Sequence, residues 1–257
     1  MAQLHSDSTQ NTFNISNSSI TNLVGSGSIQ YNEPSAKNDT LSETERHKKV
    51  ILFLASQPIS TARLRLDEEV REIEEGLRRS RYRNRFELKQ QWAVRPRDLQ
   101  RAMLDCKPHI VHFSGHGVGR TMDDSRLSEA TRKLVPVDQV KAFEEGLILE
   151  DQTGQAKLVS TEALAALFEL FADSVECVVL NACYSERQAK VIAQHIPYVI
   201  GMNQEIEDRA AIEFAIGFYD ALGAGESVEF AYKLGCSAIQ MANSSENLTP
   251  VIIQRVN

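Results

Sequence analysis

Two stretches decide how this sequence folds: HIVHFSGHG at residues 109–117 and VECVVLNACYS at residues 175–185. Each begins as a short apolar run of the kind that forms a strand buried on both faces of a sheet. Each then breaks into small and polar residues that cannot continue the strand. Such a break at a strand's carboxyl end is where open α/β sheets place their ligand crevice. The first puts His116 between two glycines, and the second puts Cys183 at a strand-to-helix turn.

The same rhythm runs outward from both. Val50 to Ala55 is a third apolar run, and Leu66, Val70, Ile73 and Leu77 follow at helical spacing among charged residues expected to face water. Phe86 to Val94 alternates as a strand, and Pro96 opens a helix through about Leu104. Downstream, Gly146 to Asp151 reads as a strand with a turn at Thr153 and Gly154, and Ser160 caps a helix bearing Leu164, Leu167, Phe168 and Phe171. Residues 186–196 read as a helix and Tyr198 to Met202 as a strand. Two helices parted by Gly223 to Gly225 follow, then a terminal strand over Pro250 to Val256. Strands alternating with helices predict an α/β fold: a three-layer sandwich, with helices on both faces of a mostly parallel central sheet.

A Cys and a His at neighbouring strand ends suit nucleophilic acyl transfer. The sulfur attacks a carbonyl, and the imidazole takes its proton and delivers it to the leaving amine. A helix starting near Glu186 would aim its positive end at Cys183 and lower the thiol pKa. The backbone N–H groups of Gly117 and Cys183 are candidates for an oxyanion hole. Cys106, Cys177 and Cys236 read as inert apolar residues, and His109 and His112 as structural. Cys106, His109 and His112 recur every three residues, a spacing that sends successive members of a strand to opposite faces, so no metal site is expected from them with His116.

These residues resemble the caspase-like cysteine peptidases, and among them the prokaryotic CHAT domain, named for its association with caspases and tetratricopeptide repeats. The resemblance runs from Lys48 to Val256. It is densest at His109 to His116, Gly146 to Gln240 and Leu180 to Glu186. It implies a caspase-like fold, a cysteine endopeptidase activity without cofactor, and a dyad of His116 and Cys183 with no third member. It further implies cleavage after Arg or Lys, through an acidic S1 pocket built from Asp208 or, second, Glu205. Read from the residues alone, Asp208 serves equally as the cap of a helix starting at Arg209. Asn181 is neutral where some relatives of that family carry an acid.

The rest of the chain bounds the biology. Its 257 residues carry 28 basic against 35 acidic side chains, a net charge of -7 that argues against nucleic-acid or anionic-membrane partners. No apolar run is long enough for a bilayer, no Lys or Arg precedes Lys37, and four cysteines lack paired spacing, so a cytoplasmic protein is expected. Residues 1–47 form a separate segment ahead of the 48–257 domain. Of the first 40 residues, 18 are Ser, Thr or Asn. Phe13, Ile15, Ile29 and Tyr31 flank Gly25-Ser26-Gly27 in a pattern that suits either a flexible tail or two stacking strands. This segment resembles the amyloid signalling motifs that connect bacterial immune sensors to effectors. That implies a nucleotide-binding sensor as partner, homo-oligomeric clustering, and a zymogen role in antiviral defence or cell death. Residues 118–146, with Arg120, Arg126, Arg132 and Lys133, read either as a lid or self-cleaved activation loop, or as a plain surface insertion. The competing reading of the whole is a catalytically silent module that assembles through its N-terminus.

Overall fold

The computed structural model describes residues 48–119, 145–242 and 244–255. The chain divides into units of residues 1–40 and 41–257, and every described residue lies in the second. The expectations for the N-terminal segment, and those for residues 120–144, fall outside the described residues.

A six-stranded sheet forms the centre. In chain order its strands are β1 (Lys49–Ala55), β2 (Phe86–Gln91), β3 (Ile110–Ser114), β7 (Cys177–Asn181), β8 (Tyr198–Met202) and β9 (Pro250–Gln254). Their spatial order is β2-β1-β3-β7-β8-β9, parallel throughout except for the antiparallel edge strand β9. The inner strands are apolar at nearly every position because helices cover both faces. On one face Ile51, Phe53, Val179 and Ile200 pack beneath α1 (Leu66–Arg79), α5 (Asp208–Ala224) and α6 (Val228–Met241). On the other, Leu52, Leu54, Val111, Phe113, Val178 and Leu180 meet α2 (Pro96–Cys106), α3 (Thr161–Glu169) and α4 (Glu186–Ile192). The fold is the expected α/β three-layer sandwich.

A second sheet interrupts the alternation between β3 and β7. It is antiparallel, β4 (His116–Val118), β5 (Gly146–Glu150) and β6 (Ala156–Ser160), in the order β4-β5-β6. Asp151 closes the β5–β6 hairpin by accepting hydrogen bonds from the backbone of Thr153 and Gln155, with Gly154 at φ 79°. The insertion read at 118–146 is therefore shorter: Val118 belongs to β4, and Gly146 opens β5. Ser160 caps α3 as expected, accepting from the Ala163 N–H at 3.3 Å. The helix expected over 186–196 ends at Ile192.

One expectation for α1 fails. Glu69 does not face water; it is 2% exposed. It stands three residues after Leu66 and four before Ile73, within the apolar stripe, and α1 turns it into the sheet.

No helix among the described residues is long and apolar enough to cross a membrane.

Candidate active site

Parallel pairing places the dyad candidates side by side. In the β3–β7 register Ser114 pairs with Asn181, and His116 and Cys183 each stand two residues further along. The Gly115 N–H donates to the Asn181 carbonyl at 3.3 Å, so the strand ends stay joined as they leave the sheet. Beyond that point β4 carries His116 away, and the chain after β7 turns sharply into α4. The turn is held in two ways. Tyr184 adopts a left-handed conformation, φ 56°, which costs a non-glycine residue on the order of 1 kcal/mol or more. Ser185, fully buried, donates to the Leu180 carbonyl and accepts from the Met202 N–H, both at 2.9 Å, tying the turn to β7 and β8.

The loop bearing His116 lies directly on this turn. A Cβ at Gly117 would come within 2.2 Å of the Cys183 carbonyl oxygen, and one at Gly119 within 2.5 Å of the Tyr184 Cβ. Backbone packs on backbone here, which is why glycine follows His116.

His116 and Cys183 line one crevice together with Glu69, Asn181, Asp208 and Arg65. Both dyad candidates are half-buried. The His116 Nε2–H donates to the Ala62 carbonyl at 3.0 Å. A carbonyl only accepts, so this bond fixes the tautomer and leaves Nδ1 free to take a proton. The Cys183 thiol donates to the Ile206 carbonyl at 3.9 Å. Burial pulls the imidazole below its ordinary 6.5, against opposing pulls from the Ala62 carbonyl and Asp208. Burial also pushes the thiol above 9.0, with Glu205 and Asp208 adding to the rise against the Ile206 bond. The thiol depressed by α4 that the sequence predicts is thus not found. Desolvation outweighs the end of a seven-residue helix. The resting pair is a neutral thiol beside a neutral imidazole.

The remaining candidates fall as follows. Asp208 is the first residue of α5, with Glu207 at the N-cap position, and makes no capping bond there. It lines the crevice half-buried; burial raises its carboxyl, while the Arg65 backbone and guanidinium pull it down. Glu205 is exposed and does not line the crevice; its charge falls on Tyr184 and Cys183. Gly117 lies against Cys183 as described. Cys177 is fully buried, Cys106 and Cys236 are half-buried, and all four cysteines are free. Among the described residues no group of three or more His, Cys, Asp or Glu side chains is placed to hold a metal ion.

Two features were missed in the sequence. The Ala62 carbonyl orients the imidazole, and a backbone acceptor leaves no side-chain signature. Glu69 lies at the crevice with Asn181, Ser114 and His112 around it, and its place in the α1 stripe was the available signal.

The model of the CHAT domain family matches residues 33–233. The chain belongs to the CHAT domain family. A Roc-COR-CHAT protease from an unknown prokaryotic organism is 24% identical over 213 residues, covering 79% of this chain and 18% of the relative. A probable protease of Gillisia limnaea is 23% identical over 197 residues, covering 76% of this chain and 31% of that protein. The chain therefore spans less than a third of either relative's length. The solved structure of a secreted C11 cysteine protease from Bacteroides thetaiotaomicron, in complex with an irreversible peptide inhibitor, superposes with a TM-score of 0.54. It is 14% identical and covers 81% of this chain and 66% of that one. A second structure of that protease, named iotapain, gives 0.50 at 11% identity, covering 80% and 66%. The likeness is one of fold: α/β with a mostly parallel central sheet, as in the caspase-like C11 proteases.

Proposed function

We propose that this CHAT domain is a cysteine endopeptidase that cuts a protein substrate on the carboxyl side of Arg or Lys, with Cys183 as nucleophile and His116 as general base and acid. The observation that carries the reading is the single crevice in which Cys183, an imidazole with Nδ1 free, and the carboxylates of Glu69 and Asp208 meet. When the scissile carbonyl arrives, Sγ forms a bond to its carbon as Nδ1 takes the thiol proton. The carbonyl electrons move to oxygen, where the N–H groups of Gly117 and Cys183 are the proposed donors. The imidazolium then protonates the amine nitrogen, the C–N bond breaks, and a thioester remains. Water adds to the thioester as His116 takes its proton. The C–S bond then breaks, returning the proton to sulfur and freeing the acid. Bond formation and proton transfer are coupled because the resting thiol is protonated. No cofactor enters this sequence.

The acidic crevice supports the basic preference, since a desolvated carboxylate discriminates strongly for a cation. A role as a cytoplasmic effector in bacterial defence or cell death belongs to the same proposal. Its support is the Ser/Asn-rich N-terminal segment and four unpaired cysteines. The fusion of CHAT to other modules in the name of the Roc-COR-CHAT relative points the same way. The test is hydrolysis of fluorogenic peptides varied only in the residue before the cut. Arg and Lys peptides should be cleaved by the full chain and not by Cys183→Ala; cleavage after Asp instead, or equal rates in both proteins, would overturn the reading.

A further inference from the structure

Glu69 is the most buried charged group bordering the crevice, at 2% exposure. Three side chains contact it, each as a donor. Asn181 Nδ2–H reaches Oε1 at 2.7 Å, the Ser114 hydroxyl donates to Oε2, and His112 Nε2 lies 2.9 Å from Oε1. The Tyr219 hydroxyl, 3.1 Å from His112 Nδ1, has no other partner among the described residues. An ionised carboxylate only accepts, so the His112 Nε2–H donates to Glu69. No Lys or Arg nitrogen lies within 4.0 Å of Glu69 among the described residues, and the Arg65 guanidinium at the crevice instead bonds Glu68 at 3.0 Å.

A second observation is independent of the acids. Asn181 is 4% exposed and lines the same crevice. Its Nδ2 is spent on Glu69 Oε1 and the Ala211 carbonyl, while its Oδ1 has no hydrogen-bond partner. A buried acceptor left open is costly and uncommon. Here it sits next to a carboxylate that no Lys or Arg reaches among the described residues.

We propose that Glu69, with the Asn181 amide oxygen beside it, receives the guanidinium or ammonium group of the substrate residue preceding the cut. The inference rests on the basic preference proposed above and names the residue that sets it. A guanidinium carries five N–H donors and no acceptor, and both the open Asn181 Oδ1 and the Glu69 carboxylate are acceptors. The network from Glu69 through His112 to Tyr219 holds the carboxylate rigid, tying α1 to β3 and α5, so little ordering is needed on binding. Asp208 is half-buried and already faces Arg65, so it contributes the smaller share.

The test compares two peptides identical except for Arg or citrulline before the cut, the latter matching the shape without the charge. For the full chain, the kcat/KM ratio of Arg to citrulline should be at least about 100. Glu69→Gln should bring that ratio below about 10, with the rate on the Arg peptide falling at least about tenfold further than the rate on the citrulline peptide. A merely structural Glu69 would lower both rates together and keep the ratio, which would overturn the inference while the basic preference stood. A ratio near 1 in the unaltered protein would overturn both. Should Glu69→Gln not fold, a crystal structure of the unaltered chain with a peptidyl-arginine aldehyde on Cys183 decides the matter. A guanidinium nitrogen within 3.5 Å of the Glu69 carboxylate supports it, and a guanidinium held only by Asp208 or by solvent overturns it.

Discussion

At Cys183 and His116, burial does the same thing to two groups of opposite chemistry: it favours whichever form is uncharged. The thiol keeps its proton above its ordinary 9.0, and the imidazole sheds its proton below its ordinary 6.5. The pair is therefore quiet at rest, with each partner bonded to a backbone carbonyl, Ile206 for sulfur and Ala62 for nitrogen. A pH profile reports this directly. With His116 as the proposed base, the active form needs it unprotonated, and a depressed pKa keeps it so into mild acid. The acid limb of kcat/KM for an Arg peptide should thus have its midpoint below 6.5. A midpoint above 6.5 would mean that the carbonyl and Asp208 outweigh desolvation. This residue scale is also where sequence reading reached furthest and fell shortest. The placement of His116 and Cys183 at neighbouring strand ends was legible because small residues on both sides mark a strand end. The direction of the thiol shift was not, since a helix dipole can be read from a pattern and the dielectric around a sulfur cannot.

Elements place those residues, and the turn after β7 is the critical one. Its shape is enforced by buried hydrogen bonds, above all those of the Ser185 hydroxyl to β7 and β8. Ser185→Ala would strand the Met202 N–H and cost about 1–3 kcal/mol of stability, measured by urea unfolding. It should also lower kcat more than it raises KM, because the turn carries the proposed nucleophile. A change below about 0.5 kcal/mol would show the turn to be held by packing alone. The strands of the central sheet, α2, α3 and the α5–α6 break were legible because apolar runs, caps and Gly225 state them locally. Missing from that reading were β4 and β6, short strands whose pairing with β5 is decided by contacts distant in sequence. Glu69 was misread for a related reason: charge in an amphipathic helix usually means solvent, and the exception shows only in its place between Leu66 and Ile73.

For the whole molecule, a parallel sheet packed between two helical layers gives the crevice a rigid floor, and the segments leaving its strand ends carry the proposed dyad. The peptidase proposal asks nothing of the Ser/Asn-rich N-terminus, whereas the effector proposal does. The full chain should form large assemblies above a threshold concentration, and a chain lacking residues 1–40 should remain of one small size on a sizing column at every concentration. Identical elution would remove the assembly role and leave the peptidase proposal intact. The claim most central to the account is that Cys183 is the nucleophile and that His116 serves it. It is tested most directly by treating the full chain with a peptidyl-arginine acyloxymethyl ketone and mapping the adduct by mass spectrometry. The account predicts one thioether, on Cys183, formed much more slowly in His116→Ala. An adduct on Cys106 or Cys236 instead, or labelling of Cys183 at an unchanged rate in His116→Ala, would contradict it.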